Sequence, residues 1–139
     1  RYAPGAIIAT TSLKRPWQLL AMNAFLVTKE PLVTQTALGE FFTGPYNAAG
    51  PNERLVIALF LMSVRTIPDS PSARVMALNV GSRSLQKKLG QNDRIIFGTG
   101  DQLGIPTVTA DQKFVGAAAK QGVFLWVQMI APPPRYLGI

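Results

Sequence analysis

Apolar positions along this chain come in short blocks set between polar and Gly/Pro punctuation, and the blocks alternate between two spacings. "AIIA" (Ala6 to Ala9), after Pro4-Gly5, is an unbroken apolar run of strand length. "PLVT" from Pro31, "PTVT" and "VFLWVQMI" read the same way. Between them lie stretches of helical spacing. "WQLLAMNAFLV" (Trp17 to Val27) is the first, and a helix carrying Glu40 follows "PLVT", with Thr34 or Thr36 as its N-cap. After the loop "GPYNAAGPNE", Asn52 caps a strongly apolar helix from Glu53 to about Arg65. "IPDSPSA" breaks the chain, and Asp69 or Ser70 caps a further helix through Ala77 and Leu78, with Pro71 near its first turn. "RSLQKKLG" predicts a short basic helix ending at Gly90. Asn92 or Asp93 starts another, which runs to Leu103 with Gly104 as its C′ residue. Asp111 opens the last helix, and Gly122 ends it.

Strands that alternate with helices and read as continuous apolar runs belong to parallel sheets covered on both faces. The expected fold is therefore α/β, with a short central parallel sheet flanked by helices in one domain over residues 1–139. "APPPRYLGI" (131–139) forms an extended tail stiffened by three prolines. The chain is 47% hydrophobic and 15% charged, a globular composition. Its longest apolar run, Leu55 to Met62, is too short to span a bilayer as a helix. The opening at Arg1 points to a processed product or a piece of something longer.

Composition changes the picture mainly through what is missing. With no Cys there are no disulfides, thiol nucleophiles or thiolate zinc sites. With no His, the Ser-His-Asp triad and imidazole metal sites are excluded too. Any catalysis must use carboxylates, hydroxyls, Lys, Arg or Tyr. The charge is +7, from 14 Lys and Arg against 7 Asp and Glu, which suits a polyanionic partner.

Three of those acids share an address. In parallel sheets the working edge lies where strands end and helices begin. Asp93 is expected at a helix N-terminus on that edge, and Asp111 emerges there after one helix and one strand. Glu40 lies in the first turns of its helix, and the "ATTS" segment arrives there after the first strand. An all-oxygen cluster of Glu40, Asp93 and Asp111 calls for a hard counter-ion, Mg²⁺ or Mn²⁺. Such an ion assists phosphodiester hydrolysis while a basic surface holds the phosphate backbone. The plain alternative is that Asp93 and Asp111 are helix caps, worth roughly 0.5–2 kcal/mol whatever the function, with Glu40 a surface residue. Asp101, about two turns below Asp93, reads as a residue behind the cluster or a solvated one.

"NDRIIFGTGDQLGIPTVTADQKF" followed by "AAAKQGV" resembles the C-terminal half of PIN-domain ribonucleases. There an Asp begins a small-residue helix, and a strand follows that ends in Thr-x-Asp-x-x-Phe. "PLVTQTALGEF" resembles that family's Glu-bearing segment, and "AIIATTSL" its opening strand and Asp-Thr-Ser/Asn turn. The resemblance implies a metal-dependent endoribonuclease with Glu40, Asp93 and Asp111 as metal ligands. It also exposes a departure, because the family's acid at the end of the first strand is here Thr10. The hydroxyls of Thr10, Thr11 and Ser12 serve instead, or the acid was engineered away, or the chain is not an active nuclease. The wording of residues 92–123 is most similar to PIN-like toxin domains at the C-termini of large secreted bacterial proteins, including contact-dependent growth-inhibition effectors. That implies tRNA as substrate, a cognate immunity or antitoxin protein, and action in the target-cell cytoplasm.

Lys14, Arg15, Arg83, Lys87, Lys88 and Arg94 are the candidate RNA contacts, set against a reading as a solvated basic face. Trp17, Trp126, Phe97 and Phe114 fall on apolar faces and are expected in the core; Tyr46 either stacks on a base or covers the core. The rival to the nuclease is a non-catalytic RNA-binding or protein-interaction module on the same scaffold.

Overall fold

The computed structural model describes residues 5–10, 16–79 and 84–130, and the side chains of these except at 16–17 and 84–89. Five parallel strands form one sheet in the order β3-β2-β1-β4-β5. They are β1 (Gly5–Ile8), β2 (Glu30–Thr34), β3 (Arg65–Ile67), β4 (Thr107–Thr109) and β5 (Val127–Met129). β1 is central because it is apolar throughout. Its alternate residues feed both faces, as the pleat requires. Ala6 and Ile8 pack with Leu19, Met22, Phe41 and Ile57 on one side; Ile7 and Ala9 pack with Leu32, Val33 and Ile96 on the other.

The helices cover both faces. α1 (Pro16–Phe25), extended by a 3₁₀ turn at Leu26–Thr28, leads from β1 to β2. α2 (Gln35–Thr43), α3 (Pro45–Ala48) and α4 (Pro51–Leu61) lead from β2 to β3. α5 (Ala73–Met76) and α6 (Ser84–Leu103) carry the chain back across the sheet to β4, and α7 (Lys113–Lys120) joins β4 to β5. The chain therefore leaves β1 in one direction and returns to its other side at β4. The strand order reverses between these two neighbours, and such a reversal opens a crevice at the carboxyl ends of the strands.

The expected α/β class and parallel sheet are observed, with several local differences. "SLQKKLGQNDRIIFGTGDQL" is one helix and not two, so Asp93 lies within α6 and not at its N-terminus. Gly90 is buried inside that helix. A glycine there costs only about 1 kcal/mol relative to alanine, too little to stop a helix held by a buried face containing Ile96 and Phe97. α4 starts at Gly50, whose backbone N–H donates to Glu53 Oε1 at 2.9 Å, with Pro51 and not Asn52 opening the helix. It ends at Leu61, and residues 65–67 form β3, an edge strand with no apolar run to announce it. Asp69 and Ser70 do not cap α5, whose N-cap residue is Ser72. Trp126 is 61% exposed and not core, whereas Phe97 and Phe114 are buried and stacked at 5.1 Å. Tyr46 covers the core, edge-on to Phe41 and Phe42.

Candidate active site at the carboxyl edge of the sheet

Thr34 ends β2 and caps α2, its hydroxyl accepting from Ala37 N at 3.1 Å as expected. That cap fixes the start of α2, and Glu40 follows one and a half turns later. α2 packs on α6, where Asn92 Nδ2 donates to Glu40 Oε2 at 3.0 Å. Asp93 is the next residue on α6 and is half-buried. β4 ends at Thr109, whose hydroxyl accepts from Asp111 N at 3.1 Å and turns the chain. Asp111 Oδ1 then accepts from Lys113 N at 2.9 Å, which makes this exposed carboxylate the lead-in to α7.

These elements border a small cleft, open to solvent and lined by Ala9, Thr10, Glu40, Asp93, Ile96, Phe97, Thr109, Asp111 and Phe114. It sits at the carboxyl ends of β1 and β4, where the strand order reverses. Glu40, Asp93 and Asp111 thus line one cleft, although Asp93 reaches it from the middle of a helix. Thr10 lines it too; its hydroxyl donates to Ala37 O at 3.3 Å and is 95% shielded from solvent, at 5% exposure. Thr11 and Ser12 lie outside the described residues.

Two expected site residues are committed elsewhere. Asp101 is not in the cleft lining. It receives a fork from Arg74, Nε to Oδ2 at 2.8 Å and Nη2 to Oδ1 at 2.6 Å, and the Ser72 hydroxyl at 2.7 Å. The Arg74 hydrogen bond holds the Asp101 carboxyl below the usual carboxylate range, helped by Ser72 and opposed by burial. Asp101 therefore ties α6 to α5. Arg94 Nη1 donates to the carbonyls of Met76 and Leu78, at 3.1 and 3.2 Å, and so terminates α5. Lys14, Arg15 and Arg83 lie outside the described residues, as do the side chains of Lys87 and Lys88. Asn92, which holds Glu40, was read from sequence only as a possible helix cap; no motif marks a pair 52 positions apart.

Among the described residues the side-chain donors of the cleft are carboxylate and hydroxyl oxygens, which fits a hard divalent cation. Among the described residues no three acids converge closely enough to hold an ion as they stand. Glu40 Oε2 accepts from Asn92 and Asp111 Oδ1 from the Lys113 backbone N–H, so ion capture requires the acids to draw closer together.

The five-stranded parallel sheet and its helical cover give this chain a PIN-like α/β fold. The fold is similar to that of VapBC2 from Rickettsia felis bound to a DNA fragment from their promoter (TM-score 0.57, 13% identity, covering 91% of this chain and 98% of that one). It is also similar to PAE2754 from Pyrobaculum aerophilum (TM-score 0.55, 14% identity, covering 83% and 80%). The chain itself belongs to the family described as "Protein of unknown function (DUF1308)", whose model matches residues 9–137.

Proposed function

We propose that this domain is a metal-dependent endoribonuclease, with Glu40, Asp93 and Asp111 as the acids of its site. The observation that carries this is that these three acidic residues, from α2, α6 and the β4–α7 turn, line one cleft at the reversal of strand order. Glu40, Asp93 and Asp111 would hold Mg²⁺ or Mn²⁺, which would supply a Lewis acid for the charge that develops on the scissile phosphate. The chain's own acids fix where that charge would be neutralised, and the buried Phe97 and Phe114 make part of the cleft lining apolar. A net charge of +7 keeps RNA near a site that is itself acidic. In the narrower form of this reading the substrate is tRNA, and the domain is the toxin module of a secreted bacterial effector, silenced by a cognate immunity protein. That form rests on the resemblance of residues 92–123 alone.

The test is cleavage of total tRNA with Mg²⁺ or Mn²⁺ present and then chelated. Chelation should abolish cutting, and Asp93→Asn should lower it by at least about 100-fold. Metal-independent cutting, or full activity in Asp93→Asn, rules the mechanism out. A non-catalytic RNA-binding module is the second reading, favoured by Thr10, whose hydroxyl is donated to the Ala37 carbonyl where the resembled family has an acid. It predicts RNA binding without cleavage in either metal.

A further inference from the structure

Glu40 reaches the cleft from the middle of α2, on a long side chain with three rotatable bonds, and something must choose its rotamer. Asn92 Nδ2 donates to Glu40 Oε2 at 3.0 Å in a partly buried contact between α2 and α6. The orientation of the amide is dictated by chemistry, because a carboxylate only accepts and would repel the Asn92 carbonyl oxygen. We propose that Asn92 is a positioning residue, one that aims Glu40 for cation capture without neutralising it; this rests on the nuclease reading above.

Three features argue for that role beyond a tie between helices. First, the donor is neutral. A Lys or Arg here would make a stronger tie to Glu40 but would cancel the charge that a divalent cation needs. Second, the bond occupies Oε2, and no described partner is recorded on Oε1. One oxygen is anchored while the other can turn to a ligand. Third, Asn92 immediately precedes Asp93 on a continuous helix. Neighbouring residues on a helix point about 100° apart, so the same turn of α6 faces α2 with one residue and lines the cleft with the next. The helix thereby fixes the two acids relative to each other. Partners that orient a ligand in this way typically account for about 10–100-fold in metal affinity or activity.

The experiment is Mn²⁺ titration by calorimetry, with no RNA present, on the wild type, Asn92→Ala and Asn92→Lys, alongside thermal unfolding in chelator. We expect Asn92→Ala to weaken Mn²⁺ binding about 10–100-fold with little change in unfolding temperature. Asn92→Lys should bind Mn²⁺ more weakly still while unfolding no lower than Asn92→Ala, because it restores the tie but not the neutrality. In RNA cleavage both should lower kcat more than they raise KM. If Mn²⁺ affinity is unchanged in both variants, or if Lys restores stability and affinity together, Asn92 is only a helix tie and the proposal is overturned. If the wild type binds no Mn²⁺ at all, the nuclease reading itself fails and this inference goes with it.

Discussion

At the scale of single residues, the cleft contains side chains with two employments, and that decides which substitutions are informative. Asp111 both lines the cleft and accepts from Lys113 N. Asparagine keeps an oxygen that accepts the same N–H, so Asp111→Asn removes charge while sparing the turn. It should lower cleavage by at least about 100-fold and change unfolding free energy by under about 1 kcal/mol. Asp111→Ala should lose the turn as well, and comparing the two by urea unfolding and tRNA cleavage separates the employments. Thr10 poses the opposite case. Its hydroxyl satisfies the Ala37 carbonyl, and an aspartate there would set like partial charges together, costing about 1–3 kcal/mol. In exchange it adds a fourth carboxylate to the cleft. Thr10→Asp should therefore be less stable yet cut RNA about 10-fold faster or more. Should both proteins cut equally, three acids suffice, and Thr10 is there for the fold.

At the scale of elements, the segment 68–72 is stapled at every step. Asp69 takes the backbone N–H of Thr36 at 3.1 Å and the Thr36 hydroxyl; Ser70 N donates to Thr99 Oγ1 at 3.0 Å; Ser72 N donates to Gly98 O at 3.0 Å; and Ser72 and Arg74 converge on Asp101. Pro71 lies so close to α6 that a Cβ at Gly98 would stand 2.8 Å from Pro71 Cβ and 3.1 Å from its Cα. Gly98→Ala should cost about 1–3 kcal/mol in urea unfolding. The Asp101 staple also carries a pH signature. Its carboxyl is lowered in the folded state, so its contribution is complete above the unfolded value of about 3.9 and disappears as pH falls through the lower folded value. Asp101→Asn should unfold about 2–5 °C below the wild type at pH 7. That gap should persist down to about pH 4 and close only as pH falls further, through the lowered folded value. None of these ties was legible in the sequence, because each joins residues about 26 to 33 positions apart through polar atoms that obey no period. What was legible rests on period and punctuation: four apolar strands, the Thr34 cap, and helix ends at Gly104 and Gly122, whose φ of +69° and +84° only glycine adopts freely. β3 escaped because an edge strand of three residues needs no apolar run, and the unity of α6 escaped because Gly90 was read as a stop. The cleft survived that second error. An acid about two and a half turns inside α6 reaches the same crevice that an acid at its start was expected to reach.

At the scale of the molecule, the allocation of negative charge argues most directly for function. The chain has seven acids and fourteen Lys and Arg. Four of the seven have structural duties: Glu30 pairs with Arg65, Glu53 holds the start of α4, Asp69 holds Thr36, and Asp101 holds Arg74. The other three, Glu40, Asp93 and Asp111, all line the cleft, where Glu40 and Asp111 also accept from Asn92 and from Lys113 N. Concentrated acid inside a basic protein repels the polyanion that the rest of the surface attracts, unless a cation intervenes. The two effects can be separated by measuring binding of a short single-stranded RNA. With chelator present, affinity should fall with salt along a log–log slope of about −2 to −4, as expected when three to five phosphates are neutralised. Replacing both Asp93 and Asp111 with asparagine should leave that slope unchanged and tighten binding about 3–10-fold, since two negative charges leave the cleft. Mn²⁺ should then tighten RNA binding to the wild type and do nothing for the double variant. A double variant that binds RNA no better than the wild type in chelator would mean that RNA never approaches these acids, and the cleft would lose its claim to be where the backbone is cut.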